Sequence, residues 1–356
     1  MLSPKSGILS IKPYVGGESQ LANVDRIIRL AANESALGPS PLAMAACSDI
    51  ASLLHRYPDG GSDALRSGLA ETFNVDPAKI VCGAGSDELI ALLVKAYAGE
   101  GDELLYSEHG FLMYKISALA CGATPIAAPE SNLRTDCQAM LDHVTDKTKL
   151  VFLANPNNPT GSYLSQGELE DFHSKLPADV ILVIDAAYAE YATASDYEPG
   201  IDLVNKSDNV VMLRTFSKAF GLAALRLGWA YSSPEITDIL HRVRGPFNVS
   251  AVSQAVGVEA LKDKAHFNET IRLNNKLLPE FVDFINAIGL KAVPSQGNFV
   301  MVDFGKSAVE ADAFLRSKGI LTRAIAAYGL PNYLRVGIGT EEEMELVKAA
   351  FKELAQ

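Results

Sequence analysis

The sequence predicts an α/β protein: a large domain built on a mostly parallel sheet flanked by helices, followed by a smaller α+β domain at the C-terminal end. Three observations carry this reading. Short, continuously apolar segments alternate with helical patterns through the middle of the chain, as strands buried on both faces require. Several of these segments end on polar residues of unusual type, where open α/β sheets gather their ligands. Near residue 262 the pattern changes to longer helices with fewer strands between them.

Taken in order, the first 40 or so residues show little periodicity and read as an arm that packs on the small domain or on a partner subunit. The large domain is placed over 41–261 and the small one over 262–356. Ile80-Val81-Cys82 is a short strand, turned by Gly83 to Ser86 into a helix over Asp87 to Tyr97. Glu103 to Tyr106 is a strand, Phe111 to Cys121 a helix stopped by Gly122, and Thr124 to Ala127 is extended. Lys149 to Ala154, Val180 to Ile184 and Val210 to Leu213 complete the buried-type strands. In the small domain, helices are expected over Asn268 to Ile288, Val309 to Lys318 (stopped by Gly319) and Glu341 to Leu354, with a strand over Leu334 to Ile338.

Composition narrows the class. A chain of 356 residues, 48% hydrophobic, is long enough for two domains with a real core. A net charge of -12 argues against a broad face for nucleic acid or anionic lipid. The four cysteines form no CxxC pair and the six histidines no HExxH, so no metal site is expected. No apolar run approaches a membrane span, and the N-terminal residues lack the apolar core of a secretory signal. Reduced thiols in a cytoplasm are the expectation.

Four strand ends carry candidate chemistry. After the first strand, Gly83-Ala84-Gly85-Ser86-Asp87 lets the backbone approach an anion and offers it a helix N-terminus; an ordinary cap by Ser86 is the plainer reading. It is no dinucleotide fingerprint, because position 88 is Glu. Asn155 to Gly161 is a Pro/Asn turn that could hold one amide against a ligand oxygen, with Asn158 the candidate. Asp185 ends its strand, with Tyr188 close behind. A carboxylate there either caps the next helix or holds a pyridinium N–H. Lys218 stands among apolar and small residues, where burial would lower its pKa and make the amine nucleophilic toward a carbonyl; Ser217 and Arg226 could serve a phosphate dianion. Taken singly, each has a bland alternative. Taken together, the four suit different atoms of pyridoxal phosphate (PLP).

The arrangement resembles the fold-type I PLP enzymes, within them the class I/II aminotransferases, and most nearly the histidinol-phosphate aminotransferases. Arg56-Tyr57-Pro58, Gly110 to Tyr114, Asn155 to Gly161, Ser217 to Gly228 and Tyr328 to Thr340 carry the likeness, which runs from about Pro13 to the end. It implies a large sheet of the seven-stranded type and a homodimer with shared active sites. It implies that Lys218 carries PLP as a Schiff base and, when freed, shuttles a proton. It implies further that Asp185 meets the pyridine nitrogen, that Asn158 and Tyr188 meet the phenolic oxygen, and that Phe111 stacks on the ring. Gly85, Ser86, Asp87, Ser217 and Arg226 would gather around the phosphate, with Tyr57 reaching across from the neighbouring subunit. Two positions depart from common family usage: Ala186, where Glu often follows the Asp, and Phe216 before Ser217.

On the substrate side the resemblance implies that Arg335 and Arg323 grip the phosphate of histidinol phosphate in one half-reaction and the carboxylates of glutamate and 2-oxoglutarate in the other, since bidentate arginine suits both anions. Tyr14 and Asn33 would line the pocket from the arm. Aromatic amino-acid transamination is the neighbouring alternative. Threonine-phosphate decarboxylation on the same fold and a non-enzymatic sensor domain are more distant ones.

Overall fold

The computed structural model describes residues 4, 7–13, 20–21 and 26–355. Seven strands form the central sheet: β1 (Ile80–Gly83), β2 (Glu103–Ser107), β3 (Thr124–Ala128), β4 (Thr148–Ala154), β5 (Ile181–Asp185), β6 (Val210–Thr215) and β7 (Gly228–Ser232). Their spatial order is β1-β7-β6-β5-β4-β2-β3. Strands β3, β2, β4, β5 and β6 pair in parallel, whereas β7 runs antiparallel to both β6 and β1.

The apolar runs follow from burial on both faces. Val151, Leu153, Leu182, Ile184, Val210 and Met212 point into one core, and Leu150, Phe152, Ile181, Val183, Val211 and Leu213 into the other. Alternation therefore sends successive residues to two interiors, both dry, and polarity has no face to occupy. Strand β7 is not among the elements read from the sequence. Its Trp229-Ala230-Tyr231 follows the largely apolar stretch Ala219 to Leu227 with no Asn or Pro turn between them, so nothing in the pattern marks where a strand begins.

A second sheet, ordered Lys291–Val293, Phe299–Asp303, Tyr333–Gly337, Arg323–Ala324, packs against helices Lys264–Ala287, Val309–Ser317 and Glu341–Leu354 around Phe281, Ile285, Val300, Val336 and Phe351. Ile28 and Leu30 belong to this same core, because Ile28–Arg29 pairs in parallel with Ile320–Leu321. The chain after Leu30 then runs between the two sheets, with Leu30 accepting from Gly337 N–H at 2.9 Å. Tyr14, expected from the sequence to line a pocket, lies outside the described residues.

One close approach fixes the turn at the head of β1. Gly85 has φ 84°, a left-handed value that glycine adopts without strain. A Cβ on Gly228 of β7 would stand 2.5 Å from Ser86 N and 2.7 Å from the Gly85 carbonyl carbon. Those atoms are backbone and cannot step aside. Gly228→Ala is therefore expected to destabilise the protein by roughly 1–3 kcal/mol, the usual result of forcing a methyl into a filled site. Gly167→Ala, on a helix where the added methyl meets nothing within 4 Å, should not lower stability. Thermal unfolding of both variants checks the contrast.

Candidate active site

The carboxyl ends of β4, β5 and β6 and the turn after β1 open into one pocket, roofed by the arm segment Ala31–Asn33 and by Arg323, Tyr328 and Arg335 from the second sheet. Of the residues selected from the sequence, Asn33, Ser86, Asp87, Phe111, Asn158, Asp185, Tyr188, Ser217, Lys218, Arg226, Arg323 and Arg335 line it together. Gly85 lies just beneath, its absent Cβ leaving room for Arg226 Nη2. Tyr57 does not line it: the ring is 82% exposed and stacks on Phe247, with centroids 4.7 Å apart.

Lys218 follows β6 on a tight turn held by Phe216 N–H to Leu227 O at 2.9 Å and Ser217 N–H to Thr215 Oγ1 at 3.1 Å. Its Nζ donates to the Ala32 carbonyl at 2.9 Å and stands 5.7 Å from the centre of the Tyr188 ring. Burial lowers the amine's pKa to about 8, and the nearby Arg335 charge adds to that, against the pull of Asp87 and Glu34. A neutral amine is therefore accessible near physiological pH, as nucleophilic or proton-transfer chemistry requires.

Asp185 ends β5 almost wholly buried. Its Oδ2 accepts from the Tyr114 hydroxyl at 2.8 Å, while Oδ1 has no hydrogen-bond partner among the described residues. Burial raises the carboxyl's pKa to about 6; the Tyr114 hydrogen bond works against that rise and the Asp87 charge reinforces it. An orphaned buried acceptor at the bottom of a pocket is the signature of a site awaiting a donor.

The turn after β1 is braced by Glu88, whose Oε2 accepts from Ala84 N–H at 2.6 Å and from Asn248 Nδ2 at 2.8 Å. Beside it Arg226 donates to Ser217 Oγ at 3.2 Å and to Asp87 Oδ2 at 3.0 Å. Helix Ser86–Tyr97 begins here, so its free N–H groups, a hydroxyl and a guanidinium converge on one spot, as binding of a phosphate dianion requires.

In the loop after β4, Asn155 turns inward to hold both backbone groups of Leu164, and Asn157 donates to Thr160 Oγ1 at 3.0 Å. Asn158 alone of the three lines the pocket, with Oδ1 accepting from Arg335. Asn33, at φ 54°, donates to the Tyr188 hydroxyl at 2.9 Å. Arg323 and Arg335 are direct cross-strand partners. Like charges placed opposite one another destabilise a sheet, so the pair marks a place built for an anion.

These residues fit pyridoxal phosphate: an amine, a buried carboxylate with one free acceptor, and an anion cradle. The comparisons agree. A family model described as "Aminotransferase class I and II" matches residues 25–351. The chain belongs to the class I and II aminotransferases. It is 54% identical to a histidinol-phosphate aminotransferase of Rhodospirillum centenum, over 98% of this chain and 97% of the relative. It is 53% identical to one of Rhodospirillum rubrum, over 98% and 95%. Among solved structures, a histidinol-phosphate aminotransferase of Sinorhizobium meliloti in complex with pyridoxal-5'-phosphate superposes with a TM-score of 0.87 at 31% identity, covering 93% of this chain and 91% of that one. The cofactor of this aminotransferase is PLP.

The sequence reading did not select Tyr114, Thr215 or Tyr328, all of which touch or line the site. Tyr114 and Tyr328 sit inside the quoted motifs, and that was their one signal.

The buried carboxylate carries a stability consequence. Its folded pKa of about 6 lies above the ordinary 3.8, so the native state binds the proton more tightly. Folding of the cofactor-free protein is therefore opposed by roughly 3 kcal/mol above pH 6, and the penalty fades as pH falls from 6 toward 3.8. Asp185→Asn is expected to melt at higher temperature than the parent at pH 8, with the gap closing near pH 4. Calorimetry of the cofactor-free proteins at both pH values checks this.

Proposed function

We propose that this aminotransferase exchanges an amino group between L-histidinol phosphate and 2-oxoglutarate, giving imidazole-acetol phosphate and glutamate for histidine biosynthesis. The high identity over nearly the full length of relatives with that activity supports the reading. The observation that carries it in the chain itself is the Arg323–Arg335 pair, which lines the same pocket as Lys218. Two guanidiniums offer bidentate donors to a substrate phosphate, and the same N–H groups can donate to the carboxylates of the second substrate.

Bound PLP supplies an aldehyde and an electron-withdrawing ring that acidifies the substrate Cα–H. Around it the chain's residues divide the work. Lys218, with its lowered pKa, provides the amine and afterwards takes and returns a proton over the substrate carbon. Asp185 Oδ1, buried and unpartnered, would accept from the ring nitrogen and keep it charged. The Asn158 amide and the Tyr188 hydroxyl would serve the phenolic oxygen, and Phe111 would cover the ring face. The Ser86 and Asp87 N–H groups above Gly85, with Ser217 and Arg226, would hold the phosphate. Asn33 orients Tyr188 through their hydrogen bond, and the roof of Ala31–Asn33, Tyr328 and the two arginines limits water around the reacting carbon.

A second copy completes the site. Leu42, Met44, Leu53, Leu54, Tyr57 and Phe247 are large apolar residues on the surface, each between 44% and 82% exposed. Such a set favours a homodimer in which Tyr57 reaches the partner's phosphate. Among the described residues no helix is long and apolar enough to cross a membrane, and with four free cysteines a reducing cytoplasm is the natural setting.

Spectra of the two half-reactions test this function. Histidinol phosphate and glutamate should each convert the bound cofactor. Lys218→Ala should lose that conversion. Arg323→Ala and Arg335→Ala should each lower kcat/KM for histidinol phosphate roughly 10- to 100-fold, the range for one charged hydrogen-bonding partner, with a far smaller effect on unphosphorylated histidinol. Preference for phenylalanine over histidinol phosphate would point to aromatic transamination, and carbon dioxide release without an acceptor to a lyase.

A further inference from the structure

We propose that Tyr114 is a positioning residue for Asp185, fixing one carboxylate oxygen so that the other, still ionised, is the sole acceptor presented to the cofactor's ring nitrogen. The inference rests on the reading of Asp185 given above and deepens it.

Tyr114 lies on helix Leu112–Cys121 and is fully buried. Its ring is clamped on several sides. Phe152 of β4 stacks on it with centroids 4.7 Å apart at 23°, while Tyr106 of β2 and Phe111 meet it edge-on at 6.4 and 5.9 Å. A ring so held cannot swing its hydroxyl away, so the 2.8 Å bond to Asp185 Oδ2 is a fixed feature of the pocket floor. The remaining oxygen, Oδ1, is buried and unpartnered. A carboxylate free to rotate would present either oxygen in turn; this one presents only Oδ1.

The chemistry of the donor matters as well as its place. Burial and the neighbouring Asp185 charge hold the Tyr114 hydroxyl well above its ordinary pKa of 10, so it stays a donor throughout the working range. A neutral donor stabilises the carboxylate without cancelling its charge, which remains available to a protonated ring nitrogen. The same side chain also supports Phe111, the ring placed to cover the cofactor face. One residue therefore ties the nitrogen contact to the stacking contact.

The groups facing the Asp185 carboxyl are Tyr114 from its helix, Asp87 from the turn after β1, the backbone N–H of Ala187 just beyond β5 and Lys218 from the turn after β6; Tyr188 and Tyr328 stand beside the Tyr114 hydroxyl. Burial and Asp87 raise the carboxyl's pKa, whereas Tyr114, the Ala187 N–H and Lys218 lower it, Tyr114 the most of the three. Removing the hydroxyl must therefore raise it further, and protonation will disable the ring-nitrogen contact at higher pH.

The test is the apparent PLP dissociation constant of the full-length protein, measured by absorbance across the acid and neutral range for the parent, Tyr114→Phe, Asp185→Asn and Phe152→Leu. Tyr114→Phe keeps the ring and its packing. Its acid limb, the pH below which affinity falls, is expected to move upward by about one unit. Phe152→Leu loosens the packing but keeps the hydroxyl, so it should weaken binding by a similar factor at every pH. A Tyr114→Phe profile that is unchanged, or displaced by one constant factor, overturns the proposal, as does an equal acid-limb shift in Phe152→Leu. Asp185→Asn separates the two levels of the argument. It should bind PLP weakly with no acid limb, and parent-like binding by that variant would instead defeat the reading of Asp185 itself.

Discussion

The structure turns on one electrostatic problem: four cations, Lys218, Arg226, Arg323 and Arg335, share the lining of a single pocket in a chain whose net charge is -12. Asp87 and Asp185 line the same pocket, and Arg226, about half exposed, already pairs with Asp87; the cations still outnumber them, and cations brought together in a partly dry site raise one another's energy, which falls when anions enter. Lys218 is the one member that can lose its proton, and burial with the Arg335 charge pushes it that way. The pocket's demand for a phosphate, its demand for an anionic substrate and the reactivity of its amine are consequences of one charge arrangement.

The fold supplies that arrangement through strand ends. Parallel strands buried on both faces leave their carboxyl ends as the one place where polar side chains can converge, and β4, β5 and β6 contribute Asn158, Asp185 and Lys218 from the loops or termini there. The arm closes the pocket with its backbone. Ala31 O accepts from Arg335 at 2.7 Å, Ala32 O from Lys218 and Asn33 O from Asn298 at 3.2 Å. Carbonyl oxygens of one short segment thus hold a cation from each sheet, so the segment couples both walls of the site.

Much of this was legible in the sequence because buried charge is rare and stands out. Asp185 and Lys218 attract notice as polar residues in apolar surroundings at strand ends, and the apolar runs of β1, β2, β4, β5 and β6 follow from two-sided burial, whereas β3 is a partly exposed edge strand. Strand β7 was not legible, since it continues a largely apolar stretch with no turn signal to mark its start and no indication of its direction. Tyr114 was missed for the opposite reason: a tyrosine facing a core from a helix looks like any packing aromatic until its hydroxyl is seen against Asp185. The carbonyls of Ala31 and Ala32 have no side-chain signal at all. The opposition of Arg323 and Arg335 depends on strand register, which spacing alone does not reveal. Tyr57 is a residue whose placement its motif could not give: its ring lies on the surface against Phe247, away from the pocket of this chain.

The claim beneath all of this is that the amine of Lys218 is desolvated enough to be neutral near physiological pH. The most direct measurement follows the rate at which PLP with a borohydride reductant labels each lysine of the cofactor-free protein as pH is varied, with peptide mapping to assign the sites. The account predicts dominant labelling at Lys218 with a midpoint at about 8, separated from the other lysines. A midpoint near the ordinary 10.5, or a dominant adduct on a different lysine, would contradict it.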